Sequence, residues 1–168
     1  MQRLNCGGAG MSSTDESGDL VMQVTREMRL MSSFDALLSQ AIADRVGMHS
    51  TDIETLDLLN VLGPMTAGRL AELAGLSTGA TTRLVDRLVR AGYVERRADP
   101  GDRRRVIIEP IYENLEAVGQ LYTPLTEKLT ALWTTFTPEE LSVILRFVQG
   151  SNAAVSEVNA AIRAELNP

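Results

Sequence analysis

Hydrophobic positions recur every three to four residues over most of the chain, which predicts a largely helical protein. Glycine and proline residues interrupt this pattern and set the boundaries of its segments. The helices predicted in the first half are 20–46, 52–62, 67–74 and 78–91. In the second half, one helix covers 112–136 with a kink at Pro124, and Thr137 caps a last helix that extends to about Glu165.

Two short extended runs interrupt the helical pattern. They cover 93–97 and 103–109, and Pro100-Gly101 between them predicts a β-hairpin. Antiparallel pairing should bring the arginines of the two runs side by side. The element order is therefore a long helix, three shorter helices, a hairpin and two long helices.

The long helices at the two ends have little to pack against within one chain. Packing against a second copy is the simplest way to bury their apolar faces, so the pattern favours a homodimer. The alternative is a monomer with its own helical core. The predicted fold class is mainly α with a small β-hairpin (α+β).

The composition is that of a globular chain of about one domain. The 168 residues are 44% hydrophobic, and no run approaches the ~18 apolar residues of a membrane span. Residues 1–18 are rich in Gly, Ser and Asp and predict a disordered tail, in which Met11 is an alternative start. This tail lacks the apolar core of a signal peptide, so we expect a cytoplasmic protein. Cys6 is the single cysteine, which excludes an internal disulfide, and we expect no metal and no cofactor.

Charge is unevenly distributed along the chain. The net charge is −6, yet the segment 83–105 contains eight arginines and four acids, a net of +4 that leaves −10 for the remainder. A basic patch on an acidic body is typical of a protein that binds nucleic acid through one surface. The alternative is an arginine-rich hairpin that is simply solvated.

The segment from Thr66 to Gly92 has the spacing of a helix-turn-helix motif. Two helices meet at Gly75, and the small Ala71 lies four residues earlier, where it lets the helices cross closely. The exposed face of the second helix begins with short hydroxyl residues, which permit close approach to a major groove, and continues with arginine. The alternative is an amphipathic helix with a solvated face. The predicted DNA contacts on this helix are Ser77, Thr78, Gly79, Thr81, Thr82, Arg83 and Arg87.

The hairpin adds a second basic element to this motif. Its predicted DNA contacts are Arg97, Arg103, Arg104 and Arg105, and its loop should reach a minor groove or flanking phosphates. One of the two loop aspartates, Asp99 or the favoured candidate Asp102, should hold an arginine in place by a charge-assisted hydrogen bond.

Four stretches of the chain resemble MarR-family regulators. The stretches are Leu70-Ala71-Glu72-Leu73-Ala74-Gly75-Leu76-Ser77, Thr82-Arg83-Leu84-Val85-Asp86-Arg87-Leu88, Ala91-Gly92-Tyr93-Val94-Glu95-Arg96-Arg97 and Asp99-Pro100-Gly101-Asp102-Arg103-Arg104. The resemblance implies a homodimer whose two winged helix-turn-helix lobes each bind half of a pseudo-palindrome. By position it makes Ser77 to Arg87 the recognition helix and Asp99 to Arg105 the wing.

The chain departs from the family pattern at two places. Glu109-Pro110 stands where the family usually begins a helix with Leu-Thr, so the entry into the next helix should differ. The first folded helix lacks the early cysteine of the peroxide-sensing branch, which argues against redox sensing.

The resulting domain organisation has four parts. After the tail come a dimerisation helix at 19–47, the DNA-binding lobe at 48–110 and further dimerisation helices at 111–168. The expected function is sequence-specific binding of double-stranded DNA, with repression relieved by a small aromatic or phenolic effector. The alternative is a winged-helix module that contacts only proteins. An enzyme is disfavoured because His49 is the sole histidine and no carboxylate pair lies in a distinctive motif.

The resemblance also implies an effector pocket between the dimer helices and the DNA-binding lobe. Methionine provides adaptable apolar walls and a polar group fixes orientation. The candidate pocket residues are Met28, Met31, Met48, His49 and Asp52. The alternative is an ordinary core role for the methionines and a helix-capping or other structural hydrogen bond for His49.

Overall fold

The computed structural model describes residues 13–102 and 104–166. The chain divides into two compact units, one ending at Gln40 and the other beginning at Ala41. The elements of the first half are α1 (Ser13–Val46), α2 (Ser50–Leu62), β1 (Met65–Thr66), α3 (Ala67–Ala74) and α4 (Thr78–Arg90). Those of the second half are β2 (Val94–Ala98), β3 (Val106–Pro110), α5 (Tyr112–Gly119), a 3₁₀ turn (Gln120–Tyr122), α6 (Thr123–Trp133) and α7 (Pro138–Leu166).

Helix α1 corrects the predicted extent of the N-terminal tail. It begins at Ser13, so 13–18 are helical rather than disordered. Low hydrophobicity does not prevent this extension, since adding a residue to an existing helix is far easier than starting one. Residues 1–12, including Cys6 and Met11, lie outside the described part of the chain.

The sheet has three antiparallel strands in the order β1-β3-β2. The first of them was not predicted, because a two-residue strand leaves no periodic signal; Met65 lies opposite Ile108, and Thr66 lies opposite Ile107. The hairpin exists, but its arginines are not side by side as predicted. Arg96 pairs with Ile108 and Arg97 with Ile107, and the ladder ends where Ala98 faces Val106. Arg104 and Arg105 therefore belong to the loop between β2 and β3 rather than to a strand.

The core of the second unit lies where α2, α3 and α4 meet the sheet. Burial of these apolar side chains is the main stabilising term for such a lobe, and it fixes the second helix of the motif against the first. The buried cluster consists of Leu56, Leu59, Met65, Leu70, Leu84, Val85, Leu88, Val94 and Ile108.

A break in the predicted helix 112–136 near Pro124 is confirmed, although it is a 3₁₀ turn before the proline rather than a kink at it. Helix α5 ends at Gly119, a 3₁₀ turn follows, and Pro124 lies in the first turn of α6, where its missing N–H breaks no helical hydrogen bond. The capping of α7 is also confirmed, since the Thr137 amide donates to Glu140 Oε2 at 2.8 Å and the Glu140 amide donates to Thr137 Oγ1 at 3.2 Å. Among the described helices, none combines the length and the apolar character that a bilayer crossing requires.

Candidate nucleic-acid interface

The turn between α3 and α4 has the local geometry that the sequence predicted. Gly75 adopts a left-handed conformation, with φ +63°, and its amide donates to the carbonyl of Ala71. Ser77 then caps α4, because its Oγ accepts from the amide of Ala80 at 3.3 Å. A glycine at the end of one helix and a hydroxyl cap at the start of the next set the angle between them.

The exposed face of α4 begins with small side chains. Thr78, Gly79 and Thr82 are exposed, and the Thr82 hydroxyl donates to the carbonyl of Thr78 at 2.9 Å. A Cβ added at Gly79 would meet nothing within 4 Å, so this end of the helix is open to an approaching surface. Arg83 is exposed one residue further along and forms no ion pair within the described residues.

The predicted contact of Thr81 with DNA is wrong. Thr81 is only 2% exposed, and its hydroxyl donates to the carbonyl of Ser77 at 3.0 Å. The side chain lies on the buried stripe of α4, where its methyl group packs and its hydroxyl is satisfied by the preceding turn.

Arg87 lies on the same helix, but it is engaged within the lobe. Its Nε and Nη2 donate to Asp52 Oδ2 at 2.8 Å and Oδ1 at 2.5 Å, a two-point ion pair between α4 and α2. Asp52 is 1% exposed, and its Oδ2 also accepts from the amide of His49 at 3.3 Å. A contact of Arg87 with DNA would have to compete with this carboxylate.

The strand arginines are likewise paired with acids. Arg96 Nη2 lies 2.7 Å from Asp86 Oδ1, which joins the polar side of α4 to β2. Arg97 Nε lies 2.6 Å from Glu95 Oε1 and 3.1 Å from Glu109 Oε2. Glu95 and Glu109 stand directly opposite each other in the ladder, so Arg97 offsets a repulsion between like charges.

The two aspartates of the wing loop hold its backbone. Asp99 Oδ1 accepts from the amide of Gly101 at 2.8 Å, and Asp102 Oδ1 accepts from the amide of Arg104 at 3.0 Å. Such side-chain-to-backbone bonds favour a turn over a longer ladder. The Asp102 carboxylate also lies 3.7 Å from Arg105 Nε and 4.0 Å from Arg104 Nε. These are ion-pair distances, longer than the predicted charge-assisted hydrogen bond.

The described part of the wing loop presents two arginine side chains to solvent. The Arg104 side chain is 96% exposed and that of Arg105 is 66% exposed. Arg103, the third predicted contact, lies outside the described residues. We call the exposed α4 residues Thr78, Gly79, Thr82 and Arg83, together with Arg104 and Arg105, the recognition surface.

A small concavity at the edge of the wing was not anticipated from the sequence. Arg105 and Val106 line it together with Thr66, Ala67 and Gly68 at the start of α3. A helix N-terminus beside an arginine is favourable for an anion such as a DNA phosphate.

The structure also contains a groove of about 460 Å³ along α2. Its lining is Ile53, Leu56, Asp57, Asn60, Tyr112, Leu115, Glu116, Val118, Gly119, Tyr122 and Thr126. The predicted effector residues do not line it. Within the second unit, Asp52 is paired with Arg87, Met48 packs against the core and His49 is exposed. In the first unit, Met28 is half-buried and Met31 is exposed.

Sequence reasoning missed this groove because its polar members stand far apart in the chain. Asp57 and Asn60 share one face of α2 with Ile53 and Leu56, at helical spacing. The signal that points to Asp57 is a carboxylate on the helix face that also carries Ile53 and Leu56. No spacing rule connects that face with Glu116 in α5.

Comparison with known proteins places these features in a family. A model described as the MarR family matches residues 48–106. The HTH-type transcriptional regulator YcgE of Bacillus subtilis is 42% identical over 147 residues, which cover 88% of this chain and 95% of that protein. The chain belongs to the MarR family. It is a DNA-binding transcriptional regulator, and the expectation of a regulator rather than an enzyme is confirmed by these relatives.

Other MarR-family proteins agree with this assignment. The multiple antibiotic resistance protein MarR of Escherichia coli is 28% identical over 130 residues, which cover 72% of this chain and 90% of that protein. A MarR-family structure from Bacillus stearothermophilus has a TM-score of 0.61 at 20% identity, covering 88% of this chain and 99% of its own. A cysteine-to-serine variant of Escherichia coli MarR, solved with operator DNA, has a TM-score of 0.51 at 19% identity and covers 79% of this chain and 96% of its own. The two structures confirm the predicted winged-helix fold.

Proposed function

We propose that this MarR-family chain is a cytoplasmic, homodimeric repressor that binds a pseudo-palindromic operator and is released by a small molecule. One observation carries the DNA part of the proposal. The ion pair of Asp86 with Arg96 ties β2, the strand that leads into the wing loop, to α4, the helix that carries the exposed threonines and Arg83.

The recognition surface supplies two kinds of DNA contact. Thr78 and Thr82 are short enough to let α4 approach a major groove, where Arg83 can donate two hydrogen bonds to guanine. Arg104 and Arg105 carry exposed charge that suits phosphates or a narrow minor groove. Base contacts specify the sequence, and wing contacts add affinity.

The sequence preference can be tested by selecting bound duplexes from random DNA and measuring affinity by fluorescence anisotropy. Arg83→Ala should weaken binding to the selected site by ~1–3 kcal/mol and relax the preference at one base pair in each half-site. Lys128→Ala, which removes a cation on α6 outside the recognition surface, is the control and should leave both unchanged. An unaltered sequence preference in Arg83→Ala would contradict the assigned role of α4.

The homodimer is supported by apolar side chains that one chain leaves in water. In α1, Leu20, Val21, Met22, Phe34 and Leu37 are each more than 60% exposed. Helix α7 shows the same property at Val143, Leu145, Val155, Val158 and Ile162, each more than half exposed. Exposed apolar surface on this scale marks an interface. A two-fold dimer would bind two half-sites if its recognition helices lie about 34–36 Å apart.

Sedimentation velocity tests the assembly. Wild-type protein should sediment as a dimer, whereas Phe34→Glu should shift it towards monomer by placing a charge in the apolar face of α1. Glu27→Gln, an exposed change on the same helix, is the control. A monomeric wild-type protein at micromolar concentration would refute the homodimer.

Effector release requires a ligand that favours a state with lower DNA affinity. The groove along α2 supports this part of the proposal, because the ion pair of Asp52 with Arg87 joins α2 to α4. The sequence-based candidates Met28, Met31, Met48, His49 and Asp52 stay predictions. For them the test is His49→Ala, which should weaken effector release without changing DNA affinity.

A further inference from the structure

We propose that the groove along α2 takes an amphiphilic cation, an organic ammonium or phosphonium with an apolar body, rather than an aromatic acid. The inference names the ligand class for the effector groove and rests on the proposed function for its regulatory consequence. It concerns the groove lined by the Ile53–Asn60 face of α2, by α5 and by the 3₁₀ turn.

The first argument is charge. Of the residues that line the groove, Asp57 and Glu116 are the charged ones, and none is Arg, Lys or His. Neither carboxylate forms a hydrogen bond or ion pair within the described part of the chain. Two unpaired carboxylates in one groove repel an anionic ligand and attract a cation.

The second argument is the apolar lining beside one carboxylate, that of Asp57, which stays exposed at the mouth of the groove. Burial raises the pKa of Asp57 from its ordinary value of 3.8. Ile53, Leu56 and Leu115 supply the apolar walls that displace water. A carboxylate that has lost part of its hydration gains more from an incoming cation than one in bulk water.

The third argument is the pair of aromatic rings. Tyr112 and Tyr122 both line the groove, one from each end of the α5 segment. Tyrosine faces attract organic cations by cation–π interaction, and their bodies contribute apolar area. The volume of about 460 Å³ lies within the range of sites for drug-sized molecules.

A charge-matched pair of probes tests the inference. Tetraphenylphosphonium and tetraphenylborate share four phenyl rings around a central atom and differ in the sign of their charge. Isothermal titration calorimetry of the full-length protein, in sodium buffer, should show tetraphenylphosphonium binding at least about tenfold more tightly.

Variants then locate the site. The double variant Asp57→Asn/Glu116→Gln should weaken phosphonium binding by about tenfold or more, since both attractions are removed. The control Glu54→Gln/Glu113→Gln removes the same charge from the same two helices outside the groove and should stay within about twofold of wild type. Asp57→Glu retains the charge and should retain most of the affinity, which separates a charge effect from a folding defect.

Two results would overturn the inference: equal or tighter binding of tetraphenylborate, or unchanged phosphonium affinity in the groove double variant. DNA affinity of the same preparations, measured by anisotropy, separates this inference from the proposed function. Phosphonium binding that leaves DNA affinity unchanged refutes release through this groove but keeps the ligand class. If the unliganded wild type does not bind DNA, the proposed function is refuted and the ligand class is unaffected.

Discussion

The guanidinium of Arg87 in α4 donates to both carboxylate oxygens of Asp52, the third residue of α2. Hydrogen bonding to Asp52 raises the pKa of Arg87, so the pair stays charged on the arginine side at every accessible pH. Because Asp52 also accepts from the amide of His49, one carboxylate caps α2 and holds α4. The pair therefore joins α4 to α2 within the lobe.

Removing Asp52 should lower the free energy of unfolding more than removing a carboxylate from an exposed ion pair. Asp52→Ala leaves the guanidinium and the α2 cap without their acceptor, and we expect a loss of about 1–3 kcal/mol in the free energy of unfolding, less than for a fully buried pair because Arg87 is 38% exposed. Urea unfolding followed by circular dichroism measures it. Asp86→Ala breaks the exposed pair with Arg96 and should cost no more than about 1 kcal/mol. Equal losses in the two variants would show that the Asp52 pair has no special stabilising role.

The wing should contribute affinity without sequence preference. Arg104→Ala should weaken binding to every duplex alike and reduce the slope of log affinity against log salt by about 0.9 for each protomer, because one phosphate contact is lost. Anisotropy titrations at several salt concentrations measure the slope. Arg97→Ala is the comparison. Its salt slope should fall less than that of Arg104→Ala, because Glu95 and Glu109 already pair with the Arg97 guanidinium. A slope that falls equally in both variants would place Arg97 on the DNA as well.

The turn glycine should not tolerate a side chain. Gly75 has φ +63°, and a Cβ there would collide with the guanidinium of Arg163 from α7. Gly75→Ala should lower the free energy of unfolding by about 1 kcal/mol, mainly from backbone strain, because the guanidinium ends a flexible side chain that can move aside. Thermal unfolding checks this.

Gly79→Ala provides a matched change in a helix with open space around the new methyl group. It should raise stability by roughly 0.5–1 kcal/mol, because alanine favours the helix and loses less entropy on folding. Adding Arg163→Ala to Gly75→Ala should recover little of the loss in the free energy of unfolding. A large recovery would assign the effect to the collision with Arg163 instead of the backbone.

The groove carboxylate should make stability depend on pH. Since burial raises the pKa of Asp57 in the folded state, ionisation costs more folded than unfolded. This loss in the free energy of unfolding is absent below the ordinary pKa of 3.8. It grows as pH rises above that value and is complete once pH has passed the raised pKa of the folded state. Asp57→Asn should therefore be more stable than wild type at pH 7.5, with a difference that shrinks towards pH 4.5.

Urea midpoints across that range measure this difference. Glu116 and the tyrosines Tyr112 and Tyr122 are the other titratable groups of the groove. Glu116→Gln is the comparison that isolates Asp57. A pH-independent difference between wild type and Asp57→Asn would show that the carboxylate is as well hydrated in the folded state as in the unfolded one.

Local signals in the sequence accounted for the elements of the lobe. Thr66, Gly75 and Ser77 are capping and turn residues whose effect depends on their immediate neighbours, and they placed α3 and α4 almost to the residue. The pair Thr137 and Glu140 did the same for α7. The register of the hairpin was not predicted, since the loop ends where Asp99 and Asp102 bond to backbone amides rather than where the arginines stop.

The sequence by itself determined the helical pattern, the helix-turn-helix spacing and the concentration of arginine at 83–105, because each depends on residues close together in the chain. Only the tertiary structure decided which of those arginines face solvent unpaired and which are held by acids. Asp52 and Arg87 are 35 residues apart, and Asp57 and Glu116 come from different helices, so folding alone brings each pair to one place. Two charged side chains interact strongly only when they lie within a few ångströms of each other. Their spacing along the chain predicts that distance only when both belong to one helix or strand.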